Sequence, residues 1–176
     1  MAKRPITVTN LRLQPFTAFE PEGILLVSGA DPAHANPMTI SWGMFGIMWG
    51  KPVVMVMVRP TRHTWNFIST APDFTVNWMS EDWSDATRLC GTQSGRDADK
   101  FAATGLSPVK GSVVNSPILE ESALSLECRT LYRTDLRPEQ FLDASILSNY
   151  PEQDYHGLFF GEIVAATGVE HFMQLV

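Results

Sequence analysis

The feature that most restricts the fold of this chain is a series of short strand-like segments with few helical segments between them. Seven segments rich in aliphatic or β-branched residues fall at 6–13, 23–27, 38–48, 52–58, 74–78, 124–132 and 158–166. Short helices are predicted at 64–69, 84–90, 98–104 and 138–147. Six or seven strands so connected favour a barrel or a sandwich over a parallel βαβ sheet. The sequence therefore predicts a mainly β fold with short helices, in one domain over residues 1–176.

Two of these segments differ in which of their faces is apolar. The segment 52–58 is apolar on both faces, as expected of a strand that is buried on both sides. The segment 124–132 alternates, with Leu124, Leu126 and Cys128 on one face and Ser125 and Glu127 on the other. No glycine-rich dinucleotide or Walker motif is present, which argues against a Rossmann dehydrogenase.

Composition and charge exclude several classes of protein. With 44% apolar and 18% charged residues, the chain of 176 residues has the composition of a globular protein. Its net charge of −6 argues against binding to nucleic acid or to an anionic membrane. Cys90 and Cys128 have neither disulfide-framework nor zinc-site spacing, so we expect two buried thiols and no metal. No signal peptide or membrane-spanning run is predicted, and we expect a cytoplasmic protein.

The stretch 35–79 carries the strongest functional pattern. Asn36-Pro37 is followed by the hydroxyl residues Thr39 and Ser41 and by Trp42, and the apolar strand 52–58 ends in Arg-Pro-Thr-Arg-His-Thr. Backbone donors, hydroxyl groups and guanidinium groups would then lie beside an aromatic surface. Such a combination suits a flat, partly apolar ligand that carries a phosphate, and flavin mononucleotide (FMN) is one.

Four short motifs occur in the order found in a known family. They are Asn-Pro-Met-Thr-Ile-Ser-Trp at 36–42, Arg-His-Thr at 62–64, Ser-Gly followed by Asp-Lys-Phe at 94–101, and His156 followed by Gly161-Glu162. Together the motifs resemble the flavin reductase-like family of FMN-binding split β-barrels, to which flavoredoxin belongs. The resemblance covers about residues 36–162 and implies a Greek-key split barrel of six to seven strands.

The resemblance also implies which residues form the site. The candidate flavin-binding residues are Asn36, Met38, Thr39, Ser41, Trp42, Arg62, His63, Thr64, Ser94 and Lys100, and the candidate catalytic residue is His156. Arg62 and Thr64 are favoured over Arg59 and His63 as phosphate ligands. Each motif also has a simpler interpretation: a turn at Asn36, solvated arginines at a strand end, a surface charge at Lys100, and a loop histidine without a task at position 156.

The implied function is that of an FMN-dependent oxidoreductase that passes hydride or electrons through bound FMN, from NAD(P)H or from a partner protein. The alternatives are a flavoredoxin-like electron carrier and a flavin-binding protein without turnover. In this family the flavin usually sits at a dimer interface. All five tryptophans lie between residues 42 and 83, where some of them would pack in such an interface, so we expect a homodimer.

Overall fold

The computed structural model describes residues 2–19 and 23–173 of the chain. Its strands are β1 Arg4–Ile6, β2 Ile24–Gly29, β3 Ala35–Thr39, β4 Gly43–Met48, β5 Lys51–Val58, β6 Asp73–Trp78, β7 Pro108–Val109, β8 Ile118–Leu119, β9 Leu124–Asp135 and β10 Gly157–Gly168. Its α-helices are α1 Trp65–Ile68, α2 Ser84–Thr92 and α3 Lys100–Thr104. The predicted mainly β fold with short helices is confirmed.

The order of the strands shows that the sheet must close on itself. Seven antiparallel strands run in the order β3-β2-β6-β9-β10-β5-β4, and β1 adds an eighth strand beside β10. In a flat sheet the two end strands, β3 and β4, would lie roughly 29 Å apart. Only residues 40–42 join them, a connection that can span at most roughly 14 Å. The sheet therefore curls into a barrel that is split between β3 and β4, which do not pair with each other.

The barrel is filled by one large apolar cluster, with a smaller cluster outside it. Side chains from β2, β5, β6, β9 and β10 meet in the interior, where Leu26, Val56, Phe74, Leu126 and Phe159 are fully buried. The second cluster packs α2 and α3 against the outside of β2 and includes Leu25, Val27 and Cys90. The two layers bury both faces of β2 and fix α2 next to β3.

Several predicted strand boundaries need correction. The segment 38–48 is two strands rather than one, because the chain leaves β3 after Thr39 to cross the split. Only the start of 6–13 is a strand, since residues 8–10 form a 3₁₀ turn in which the Asn10 N–H donates to the Thr7 carbonyl. The strand β9 continues past residue 132 to Asp135 beside β10.

The first three predicted helices begin and end close to the predicted residues. The last predicted helix, 138–147, is instead two 3₁₀ segments, Pro138–Gln140 and Ala144–Asn149, the second of which begins where the Asp143 carboxylate accepts from the Ser145 N–H. The helix α2 passes through Gly91 to Thr92. The helix α3 starts at Lys100 because the Asp99 carboxylate accepts from the Ala102 N–H, and it ends at Gly105, whose φ is +74°.

Two further expectations concern the thiols and membrane spanning. Cys90 and Cys128 are buried and unpaired, as predicted. Among the described residues, no helix has the length and apolar character needed to cross a membrane.

Candidate functional site

A cavity of about 400 Å³ lies at the split of the barrel. Its wall is built from residues 38–42 at the split, from residues 57, 59 and 61–64 at and beyond the end of β5, from residues 90–96 at and after the end of α2, and from Lys100 and His156. Ten of the eleven predicted site residues line it: Met38, Thr39, Ser41, Trp42, Arg62, His63, Thr64, Ser94, Lys100 and His156. Segments separated by more than a hundred positions thus meet at one place.

The strand register explains why these segments converge. Gly157 at the start of β10 pairs with Val58 at the end of β5, so His156 and Arg59 leave the sheet side by side. Gly43 at the start of β4 pairs with Val56, which brings Trp42 to the same end. In antiparallel strands the start of one strand lies beside the end of its neighbour, so one edge of the barrel collects all three segments.

Asn36 is the one predicted residue that does not line the cavity. Its side chain is buried, and its amide Nδ2 donates to Thr64 Oγ1 at 2.7 Å and to the Pro37 carbonyl at 3.2 Å. The residue therefore lies behind the wall, where it ties β3 to the start of α1 and fixes the Thr64 hydroxyl. Thr64 makes no side-chain cap on α1, and its hydroxyl oxygen accepts from Asn36 instead.

The helices α2 and α3 are anchored to β3 by polar contacts next to the cavity. The Thr39 hydroxyl donates to the Thr87 carbonyl in α2. Lys100 is only 4% exposed, and its ammonium donates to the carbonyl oxygens of Pro37 at 3.1 Å and Cys90 at 2.8 Å. An ammonium group carries three N–H donors, so one remains for a ligand in the cavity.

The charged side chains that line the cavity are all positive among the described residues. Arg59, Arg62, Arg96 and Lys100 line it, whereas no Asp or Glu does among the described residues. Sequence analysis did not single out Arg96, although it lies inside the Ser94-to-Phe101 motif. In a chain whose net charge is −6, this local excess of cations is the signature of an anion site.

Burial, with a smaller effect from the positive charges of the wall, lowers the pKa values of three groups. Burial lowers the pKa of Lys100, and the nearby Arg62 charge acts in the same direction. Burial also lowers the pKa of His63, with Arg96 and Lys100 adding to the effect. The pKa of His156 falls to about 4, mainly through burial and then through the charge of Arg59. Both histidines are therefore neutral at pH 7, and a bound anion would relieve the repulsion among the remaining cations.

The arginines of the wall differ in how far they are already engaged. Arg59 is paired with the Asp154 carboxylate and donates to the Asn149 carbonyl, so it is held in place. The Arg96 guanidinium donates to the Thr61 carbonyl at 3.1 Å, which links the loop after α2 to the loop after β5. Arg62 is exposed and has no ion pair or hydrogen bond from its side chain to any described residue. It is the wall arginine most available to a ligand.

The loop after α2 approaches the rest of the wall closely at Gly95. A Cβ at this position would lie 2.0 Å from Asn36 Oδ1 and 2.8 Å from His63 Cδ2, closer than real contacts allow. Only glycine therefore fits here without movement of the wall. Beside it, His63 Nδ1 is buried without a hydrogen-bond partner in the described part of the chain.

An aromatic side chain covers one part of the cavity. The rings of Trp42 and His156 have centroids 5.2 Å apart, and both residues line the cavity together with Met57. Trp42 is 40% exposed, which is unusual for so large an apolar side chain. The wall thus joins an apolar and aromatic surface to a cationic one, which suits a ligand with a flat ring system and an anionic group.

A curated relative, the uncharacterized protein YddH of Escherichia coli K12, is 29% identical over 132 residues, which are 74% of this chain and 61% of that protein. The chain thus covers less than two thirds of that relative.

Solved structures share the fold at low sequence identity. Flavoredoxin of Desulfovibrio vulgaris (Miyazaki F) has a TM-score of 0.65 and 24% identity, over 86% of this chain and 72% of that one. The NADH:FAD oxidoreductase SgcE6 of Streptomyces globisporus C-1027, solved in complex with NAD and FAD fragments, has a TM-score of 0.63 and 19% identity, over 85% and 76%. Both likenesses support the split-barrel fold. The model of the flavin reductase like domain matches residues 18–175, almost the whole chain, and the protein therefore belongs to the flavin reductase-like family.

Proposed function

We propose that the cavity at the split binds FMN and that the protein is an oxidoreductase using it. When bound, the flavin would supply hydride or electron transfer, while this chain supplies position and electrostatics. The observation that carries the proposal is a cavity lined by four cationic side chains and Trp42, with no carboxylate among its described wall residues.

The residues present fit an FMN phosphate. A phosphate dianion prefers charge-assisted donors, hydroxyl groups and free backbone N–H groups. Arg62 offers an unengaged guanidinium, Lys100 keeps one N–H donor, and the backbone N–H groups of Ser94 and Gly95 have no acceptor among the described residues. Thr64 adds a hydroxyl already oriented by Asn36. We therefore place the phosphate among these groups.

The residues at the split fit the ring system. The backbone N–H groups of Ser41 and Trp42 donate to no described residue, so they are available to the carbonyl oxygens and ring nitrogens of a flavin. The indole of Trp42 and the thioether of Met57 supply apolar contact. We propose that the ring edge meets the strand connection at 40–42, and that His156 faces the reactive part of the ring.

The electron donor is proposed to be NADH or NADPH, with a partner protein as the alternative. A structural neighbour is an NADH:FAD oxidoreductase in complex with NAD and FAD fragments, which supports a nicotinamide donor here and makes FAD the natural competitor of FMN. The single cluster of cations favours one phosphate, as in FMN, over the pyrophosphate and adenosine of FAD.

We also propose that the protein acts as a homodimer. The strand register aligns Met44, Met55, Phe160 and Tyr132 in one row across the outside of four strands. Met44 is 57% and Tyr132 50% exposed, and β4 is an edge strand. An exposed apolar face at an unpaired edge favours association. Met57, two residues beyond Met55 on β5, lines the cavity, so a second copy on this face would reach the flavin site.

The dimer is tested by analytical ultracentrifugation of the wild type and of Met44→Lys. We expect a wild-type dimer and a variant shifted toward monomer, because burying a lysine in an apolar interface is costly. The matched control is Leu142→Lys, which changes an exposed leucine outside the sheet. A wild-type monomer that carries its flavin would contradict the proposal.

Two broader proposals concern the domain organisation and the cellular location of the protein. We propose that residues 1–176 act as one domain, because a single buried cluster includes residues from Ile6 to Ala166. We also propose a cytoplasmic location, because a reducing compartment keeps thiols unpaired, as Cys90 and Cys128 are.

The enzymatic proposal is tested by reconstitution. Purified protein is loaded with FMN, freed of excess ligand, and mixed anaerobically with NADH or NADPH while the visible flavin absorbance is followed. Bleaching that depends on the protein supports a nicotinamide-dependent reductase. A stable flavin complex that neither nucleotide bleaches would instead support the electron carrier, and the absence of a flavin complex would overturn the proposed function.

A further inference from the structure

Tyr150 lies behind the cavity wall, in contact with His156. Its hydroxyl is 2.8 Å from His156 Nδ1, and the tyrosine is only 4% exposed. The Arg59 guanidinium lies 4.9 Å from the centre of the Tyr150 ring, and the Tyr155 ring packs beside it at 5.0 Å. The hydroxyl is thus held at the inner nitrogen of the histidine whose other side lines the cavity.

The direction of this hydrogen bond follows from what else the hydroxyl can reach. Tyr150 Oη makes no second hydrogen bond to a described residue. If Nδ1 carried the proton and donated it, the buried hydroxyl hydrogen would have no acceptor, and an unsatisfied buried donor is costly. If Tyr150 donates to Nδ1, its hydrogen is satisfied. The second arrangement is therefore favoured, and Nδ1 is the acceptor.

The tautomer of His156 follows from that direction. A neutral imidazole carries one proton, so an accepting Nδ1 leaves the proton on Nε2. Nε2 makes no hydrogen bond to a described residue, and it is not among the buried atoms left without a partner, so it is open to the cavity that the ring lines. Burial and the neighbouring Arg59 keep the pKa of the ring near 4, so at pH 7 this donor carries no charge.

We propose that Tyr150 is a positioning residue that holds His156 in the Nε2–H tautomer, as a neutral hydrogen-bond donor to a carbonyl oxygen of the ligand in the cavity. The hydrogen bond to Tyr150 and the ring contact with Trp42 together fix the direction of the donor. The tautomer itself does not depend on which ligand binds. Only the identity of the carbonyl, on a flavin or on a nicotinamide, rests on the proposed function.

The tautomer is tested without any ligand. Long-range ¹H–¹⁵N correlation spectra of the ¹⁵N-labelled protein at pH 7 distinguish the protonated from the unprotonated ring nitrogen, and the His156 signals are assigned by their loss in His156→Asn. We expect Nε2 to be protonated in the wild type. In Tyr150→Phe, which keeps the ring but loses the hydroxyl, we expect a mixture of tautomers and a higher His156 pKa.

The matched control is Tyr155→Phe, because Tyr155 packs in the same aromatic group but its hydroxyl makes no hydrogen bond to His156. That variant should keep the wild-type tautomer. A wild-type His156 protonated at Nδ1 would overturn the proposal, as would a Tyr150→Phe variant whose tautomer and pKa equal those of the wild type.

The donor role is tested by adding FMN and then an oxidised nicotinamide nucleotide to the wild type. A shift of the Nε2 signal on the first addition assigns a flavin carbonyl, and a shift only on the second assigns the carboxamide. If half of the Tyr150→Phe molecules hold the wrong tautomer, the Kd of the ligand concerned should rise about twofold. If both ligands bind and neither moves Nε2, the donor role is wrong. If FMN does not bind, the proposed function fails while the tautomer result stands.

Discussion

Replacing Arg62 by alanine tests whether the cations of the cavity hold a phosphate. Arg62 lines the cavity and its side chain makes no ion pair or hydrogen bond to any described residue, so its removal leaves no partner group unsatisfied. The free energy of unfolding of the apo-protein should change by no more than about 0.5 kcal/mol. A hydrogen bond to a charged group contributes about 1.5–3 kcal/mol, and exposure of Arg62 to water places it near the lower end. The Kd for FMN should therefore rise about 10- to 30-fold.

The assay is a fluorescence titration of the apo-protein with FMN and with riboflavin, which lacks the phosphate. Riboflavin should bind the wild type and Arg62→Ala equally well. The matched control is Arg88→Ala, since Arg88 is an exposed arginine on α2 that pairs with Asp85 and does not line the cavity. Its FMN affinity should equal that of the wild type.

Two results would refute the reasoning about Arg62. Equal weakening of FMN and riboflavin would mean that Arg62 supports the ring or the fold rather than the phosphate. An unchanged Kd for FMN would instead assign the phosphate to Arg96 and Lys100, since the remaining cation of the wall, Arg59, is paired with Asp154.

Two further predictions concern packing and pH. Gly95→Ala should cost about 1–3 kcal/mol of stability and weaken FMN binding, because the new Cβ would overlap Asn36. In the control variant Gly46→Ala the new Cβ has nothing within 4 Å, so neither stability nor FMN affinity should change. Equal melting temperatures and affinities for the two variants would contradict this prediction. Burial alone would raise the pKa of Glu127, but hydrogen bonds from the side chain and N–H of Ser112 and from the N–H groups of Val113 and Val114 lower it. The stability that the Glu127 carboxylate contributes is therefore present above about pH 4.3, the usual pKa of glutamate, and is lost as the pH falls below it. Glu127→Gln should lower the free energy of unfolding in urea by roughly 1.5–3 kcal/mol at pH 7 and by less below pH 4, and a difference that does not depend on pH would count against it.

Much of the fold was predictable because strands and helices follow from the local pattern of apolar and polar residues. The segment 52–58 is apolar on both faces, and it is indeed the strand β5, with Val54 and Val56 in the core. The split itself was expected only from the family resemblance, because nothing local in 38–48 shows that residues 40–42 must cross between the two ends of the sheet. The environment of Glu127 was only partly predictable. The alternation in 124–132 placed it on the polar face of β9, but its burial depends on the loop at 112–114, which folds over it.

Site residues could be predicted from the sequence where the type of side chain alone indicates its role. They could not where the role depends on contacts that form only in the folded protein. Arg62 and Lys100 were singled out as cations, and both line the cavity. Asn36 was expected to contact the ligand, yet its amide is used behind the wall to hold Thr64. Tyr150 lies in a segment without periodicity, and only the fold brings its hydroxyl to His156.

The most direct test of the central claim is a comparison of FMN, FAD and riboflavin binding to the same apo-protein at low ionic strength and at 0.5 M salt. If the cationic cavity holds one phosphate, FMN should bind most tightly, and added salt should weaken FMN but leave riboflavin unchanged. The ratio of the FMN and riboflavin affinities should therefore fall as salt rises. Failure to bind any flavin, or an FMN affinity equal to that of riboflavin at both salt concentrations, would contradict the account.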